Sequence, residues 1–132
     1  MNGRLVAITS DELLALCSKL YSAEDIDTTM RYGRLSDPIF AGWFGTELIC
    51  LVGFAPRSTL SDVAYLWLIT TLEASRHPTL VGRWGKRLVE MALHRYPTLV
   101  GHCMNNSERW LTSLGATLGP LDMGHTTFRI GA

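Results

Sequence analysis

Over residues 64–116 the chain reads as an apolar strand, a basic amphipathic helix, a second apolar strand and a short helix, in that order. This alternation constrains the fold more than any other feature, because it requires a sheet flanked by helices, an α/β architecture. Ala64-Tyr65-Leu66-Trp67-Leu68-Ile69-Thr70 is apolar almost throughout, the pattern expected of a central strand buried on both faces. The helix predicted over about 79–95 carries Leu80, Trp84, Leu88, Met91 and Ala92 on one side and Arg83, Lys86, Arg87 and Glu90 on the other. Tyr96-Pro97 ends it, since proline restricts its predecessor and cannot continue the helical ladder. A strand over 99–104 follows. A helix over 107–114 then stops at Gly115, a residue suited to the left-handed turn beyond a helix.

The N-terminal half reads as strand, two helices and a hairpin. Leu5-Val6-Ala7-Ile8 is β-rich, and Thr9 with Glu12 three residues on forms a capping box. Leu13, Leu16, Cys17 and Leu20 make one apolar stripe on a helix predicted over 10–21. Ser22 with Asp25 repeats the start signal, and Ile26 and Met30 continue a second helix toward Gly33. After a turn at Ser36-Asp37-Pro38, strands over 39–44 and 48–54 are joined at Gly45-Thr46, with Trp43 and Phe44 on opposite faces. A loop over 56–62 leads to the central strand. A strand pair over 116–118 and 126–130 closes the chain. With no internal repeat, linker or low-complexity segment, residues 1–132 are expected to form one domain with a mixed, twisted sheet of six to seven strands.

Charge and cysteine content narrow the function classes. Twelve basic and twelve acidic residues cancel, so no global field draws the chain to nucleic acid or anionic lipid. The basic face of Arg83, Lys86 and Arg87 keeps a local nucleic-acid contact open, without the aromatic ladder that single-strand binders use. Cys17, Cys50 and Cys103 cannot all pair within the chain. Their apolar neighbours indicate buried free thiols in a reducing compartment. No stretch approaches the roughly 18 continuous apolar residues of a membrane span, and Met1-Asn2-Gly3-Arg4 does not begin a signal peptide. The expected compartment is the cytoplasm where the protein is made. Four tryptophans are many for so short a chain, and they suggest self-association through at least one of them.

Five blocks carry a family resemblance: Trp67-Leu68-Ile69-Thr70, Arg76-His77-Pro78, Arg95-Tyr96-Pro97-Thr98-Leu99, Asn106-Ser107-Glu108-Arg109-Trp110-Leu111 and Leu114-Gly115-Ala116. In their spacing the chain resembles the GNAT superfamily, the GCN5-related N-acetyltransferases, over nearly its whole length. Its C-terminal half looks closer to small acetyltransferase-like proteins of tailed phages, including the internal virion protein A group. The resemblance implies a GNAT-like fold. The phage branch implies a protein acting in virion assembly or as a virion component, with phage structural proteins as partners, and the lack of backbone donors in the ligand loop set out below makes vestigial catalysis without a cofactor the expectation. The superfamily implies the alternative, an acetyl-CoA-dependent N-acetyltransferase. A host-directed inhibitor is a further reading.

A GNAT enzyme holds the CoA diphosphate on backbone amides of a glycine-bearing turn before the basic helix. The connection here, Thr71-Leu72-Glu73-Ala74-Ser75-Arg76-His77-Pro78-Thr79, has no glycine, and Pro78 has no amide to offer. With Arg76 as the first residue of the family pattern, Thr79 stands where its first glycine belongs, and Gly82 and Gly85 fall inside the helix. Arg76, Thr79, Arg83, Arg87 and Asn106 are the residues that would meet the cofactor. Asn106 or Ser107 reads equally as a helix cap. Leu111 occupies the position of the family's proton-donating tyrosine, with Trp110 beside it as an apolar anchor. Glu47 and Glu73 are the candidate bases. His102 and Cys103 point to opposite faces of a strand and cannot share a metal, and His77, His94 and His125 show no ligand spacing. No metal site is expected.

Overall fold

A computed structural model describes residues 3–17, 20, 23–58, 60–103, 108–122 and 124–131. In chain order its elements are β1 (Gly3–Ile8), α1 (Ser10–Leu16), α2 (Ala23–Tyr32), β2 (Ile39–Phe44), β3 (Glu47–Pro56), β4 (Val63–Thr70), α3 (Pro78–Arg95), β5 (Thr98–Cys103), α4 (Glu108–Ser113), β6 (Thr117–Asp122) and β7 (His125–Gly131). Short 3-10 turns occupy Gly33–Leu35 and Leu72–Arg76. The seven strands form one mixed, mostly antiparallel sheet in the order β1-β2-β3-β4-β5-β7-β6. The chain divides into two compact units, Met1–Ala55 with Trp67–Val81 and Pro56–Leu66 with Gly82–Ala132.

In the first unit β1, β2 and β3 form an antiparallel meander, from Gly3 opposite Phe44 to Ile39 opposite Gly53. Gly45 turns the hairpin at φ +61°, a conformation that disfavours a Cβ. Residues 48–55 of β3 are all buried, with Ile49, Leu51 and Phe54 completely so. The capping box starts α1 as its sequence requires: the Glu12 amide donates to Thr9 Oγ1 at 3.1 Å, and the Thr9 amide donates to Glu12 Oε1 at 3.0 Å. Leu13, fully buried, fills the space a side chain at Gly33 would need. Trp67 lies over Gly53, and its indole N–H donates to Ser36 Oγ at 2.7 Å, so this large buried ring leaves no donor unpaired.

In the second unit the start of β4 runs parallel to β5, with Val63, Ala64 and Tyr65 opposite Thr98, Leu99 and Val100. β5 pairs antiparallel with β7 over six residue pairs, and β7 with β6. Alternation along these strands separates two faces. Ala64, Leu66, Leu99, Cys103, Phe128 and Ile130 are buried, while Tyr65, His102, His125 and Arg129 are half-buried or exposed. α3 buries Trp84, Leu88, Val89 and Ala92. Gly85 lies against the Trp110 indole of α4, which would overlap any Cβ there. That contact explains a helix-interior glycine. β6 ends the sheet, exposed along its whole length, with Pro120 inside it and a register shift between Leu118 and Leu121.

Several expectations need correcting. α1 ends at Leu16 with Cys17 as its C-cap, Cys17 is half-buried, and residues 18, 19 and 21 of the expected helix lie outside the described residues. On α3 the buried stripe takes in Val89, while Met91 is 41% exposed, a rotation of the apolar face by part of a turn. β4 is central in the sheet but not buried on both faces: Leu68 is 37% exposed and Thr70 is open. An unbroken apolar run cannot show that the polar end of Tyr65 is in use. Of the tryptophans, Trp67 and Trp84 are core, and Trp43 and Trp110 are half-buried.

Candidate functional site

The connection between β4 and α3 is an ordered corner. At its start the Thr71 amide donates to the Ile49 carbonyl at 2.9 Å and the Thr71 hydroxyl to the Leu48 carbonyl at 2.6 Å, tying it to β3. At its end the His77 ring stacks on Phe44 of β2, centroids 4.1 Å apart. In between, Leu72–Arg76 winds into a 3-10 turn that a polar, glycine-free sequence did not announce. The turn consumes amides: Ala74 donates to Thr71 and His77 to Ala74. Pro78 then opens α3 at the one position where a missing N–H costs nothing. The first helical bond runs from Val81 back to His77. Thr79 and Leu80 therefore hold the two helix-start amides that have no partner among the described residues.

The sequence-derived candidates distribute around this corner. Thr79, Arg83 and Arg87, at successive steps of four, form one exposed stripe that descends α3 from its first turn. Arg76 stands in the 3-10 turn, 74% exposed, and pairs with Glu73 at 3.5 Å. Glu73 is thus engaged as a partner for Arg76. Glu47 is exposed beside the hairpin turn, opposite Phe44. Asn106, with the capping choice between Asn106 and Ser107, lies outside the described residues. Leu111 is buried in α4.

A second cluster lies on the open face of the second unit. Tyr65 Oη and His102 Nδ1 are 3.0 Å apart, and His102 Nε2 is 2.9 Å from Asp122 Oδ2. The imidazole is 35% exposed and the carboxylate 58%, so solvent reaches both. Three strands contribute: β4 supplies the phenol, β5 the imidazole and β6 the carboxylate. On β7, Thr127 stands opposite His102, with His125 and Arg129 two residues to either side on the same face. The Thr127 hydroxyl is committed to the Pro120 carbonyl at 2.8 Å. Metal-ligand spacing along the sequence does not single out His102. Its partners are 37 and 20 residues away, and only cross-strand register brings them to it. Among the described residues no group of His, Cys, Asp and Glu is arranged to hold a metal.

The cysteines are unsuited to nucleophilic work. Burial pushes the Cys50 thiol up to about 12, with a hydrogen bond from the Gly42 backbone opposing it. Burial also raises Cys17, and it raises Cys103 with help from the negative charge of Glu108. A raised thiol holds less thiolate at neutral pH, and thiolate is the nucleophile. With iodoacetamide at pH 8, Cys17 should therefore be alkylated first and Cys50 only on unfolding. Peptide mass spectrometry at timed quenches reads the order.

No family model and no curated protein matches the chain. Solved structures do. An acyl-CoA N-acyltransferase from Pseudomonas aeruginosa superposes with a TM-score of 0.73 at 11% identity, over 98% of this chain and 100% of that one. The GNAT domain of S. lividans PAT gives 0.69 at 14%, over 98% and 90%. A Bacillus subtilis acetyltransferase in complex with CoA gives 0.67 at 14%, over 99% and 98%. The chain has the fold of the GNAT acetyltransferases.

Proposed function

We propose that the protein is an acetyl-CoA-dependent N-acetyltransferase that acts on a primary amine. The observation that carries this is the start of α3, where the unpartnered amides of Thr79 and Leu80 head the basic stripe of Arg83 and Arg87. A helix N-terminus carries about half a positive charge and presents N–H groups to an anion, which suits a diphosphate. Two amides are fewer than a glycine turn supplies, and the arginines make up the difference with charge-assisted hydrogen bonds. Arg76, in the turn before the helix, is held by Glu73 at 3.5 Å and would have to leave that carboxylate to reach a phosphate. The anchoring of Thr71 and the stacking of His77 hold the corner in its ligand-ready shape before anything binds.

Bound acetyl-CoA would supply an activated acyl carbon. The chain's part is to grip the phosphates and to manage the amine's protons. With every thiol raised by burial, direct transfer from thioester to amine is favoured over an acyl-cysteine. Of the solved structures described above, one is an acetyltransferase in complex with CoA and another an acyl-CoA N-acyltransferase, and they support this reading. A vestigial virion protein, an inhibitor or a nucleic-acid binder has no comparable observation behind it.

Isothermal titration tests the proposal. Acetyl-CoA should bind with micromolar affinity, and the double variant Arg83→Glu, Arg87→Glu should bind about 100-fold more weakly, the worth of one or two hydrogen bonds to charged groups. No heat change at millimolar acetyl-CoA would refute it.

A further inference from the structure

The geometry points to Tyr65, His102 and Asp122 as the proton relay of this transferase, with Tyr65 taking a proton from the incoming amine and passing its own to His102. This deepens the acetyltransferase reading and rests on it. A primary amine is protonated at neutral pH and has no lone pair for attack, so an enzyme of this kind needs a proton acceptor at the amine.

The wiring follows from what each atom can do. A carboxylate only accepts hydrogen bonds, so Asp122 Oδ2 takes the Nε2–H of a neutral His102. That leaves the lone pair of Nδ1 facing the Tyr65 hydroxyl at 3.0 Å, and the hydroxyl donates to it. The proton path thus runs from phenol to imidazole, and Asp122 stabilises the imidazolium that forms. Among the described residues, strand register places Thr127 of β7 opposite His102, with His125 and Arg129 two residues to either side of Thr127.

The step balances. An N–H bond of the ammonium breaks and its proton joins the Tyr65 oxygen as the Tyr65 proton moves to His102 Nδ1. The freed nitrogen pair forms the C–N bond to the acyl carbon of the CoA thioester, and the C–S bond breaks with its electron pair on sulfur. A second amine proton goes to the departing thiolate, and His102 returns its proton to solvent. Tyr65 is the catalytic residue, while His102 and Asp122 act through it.

The test joins a spectroscopic readout to kinetics. Long-range ¹H–¹⁵N spectra should show His102 of the ligand-free protein as the Nε2–H tautomer, and Asp122→Asn should lose that preference. Calorimetry should show acetyl-CoA affinity unchanged in Tyr65→Phe and His102→Gln. Thiol release with acetyl-CoA and a panel of polyamines, amino sugars and lysyl peptides should fall about 100-fold in both variants. Full turnover in His102→Gln and Tyr65→Phe, or an Nδ1–H tautomer in the wild type, would overturn the relay and leave the transferase standing. Wild-type protein that neither binds acetyl-CoA nor releases thiol would remove both.

Discussion

Gly101→Ala should lower the unfolding free energy by about 3 kcal/mol, at the upper end of the usual cost of overpacking a well-filled core. For a chain of this length that corresponds to a thermal midpoint about 10 °C lower. A Cβ at this position would stand 2.7 Å from the Leu66 carbonyl oxygen and 2.5 Å from the Phe128 ring. A flexible side chain gives way cheaply, but a carbonyl held in a strand does not. Alanine restricts the unfolded chain more than glycine, a gain of about 0.5–1 kcal/mol that does not offset the clash. The neighbouring His102 would be displaced as well, so the tautomer preference should weaken along with stability. Differential scanning calorimetry and the histidine spectra of one sample test both. A midpoint equal to wild type would show that the space between Gly101, the Leu66 carbonyl and the Phe128 ring accepts a methyl group.

Phe54→Ala should cost about 4 kcal/mol, the transfer free energy of a phenyl ring plus the cavity it leaves. Phe54 is fully buried in a strand where residues 48–55 are all buried, so there is little slack for collapse around the void. Domains of this kind are stable by only about 5–15 kcal/mol, so much of the margin would be lost. Urea denaturation at constant m-value measures it. A loss under about 1 kcal/mol, the size of an Ile-to-Val change, would mean the ring does not pack as its burial indicates.

What the sequence announced and what it concealed divide along a physical line. Thr9 with Glu12, Gly45 at the hairpin and Gly115 after α4 act within a few residues of themselves, and each appears as read. The alternation of strand and helix over 64–116 was enough to place β4, α3, β5 and α4. Partial burial was less legible. The periodicity puts Met91 on the buried face and leaves Val89 off it, the reverse of what is found, because a 3.6-residue period fixes a helical face only to within a fraction of a turn. The 3-10 turn at Leu72–Arg76 was invisible because no residue in it demands that conformation. For the candidate site the contrast is sharper. Thr79, Arg83 and Arg87 fall in line by helical spacing alone. Tyr65, His102 and Asp122 meet only through strand register, and no local pattern encodes the residue across a ladder.

The unlike borders of the sheet limit what the protein can build. β6 breaks its own outer margin with Pro120, which has no N–H to give, and with the slip between Leu118 and Leu121. β1, at the opposite border, is a regular strand with neither interruption. Growth of a continuous sheet from copy to copy needs two receptive borders on each molecule, and among the described residues β1 alone offers one. If copies ever join by strand addition, β1 against β1 completes a closed pair with nothing left to extend, and a fibre has no way to begin.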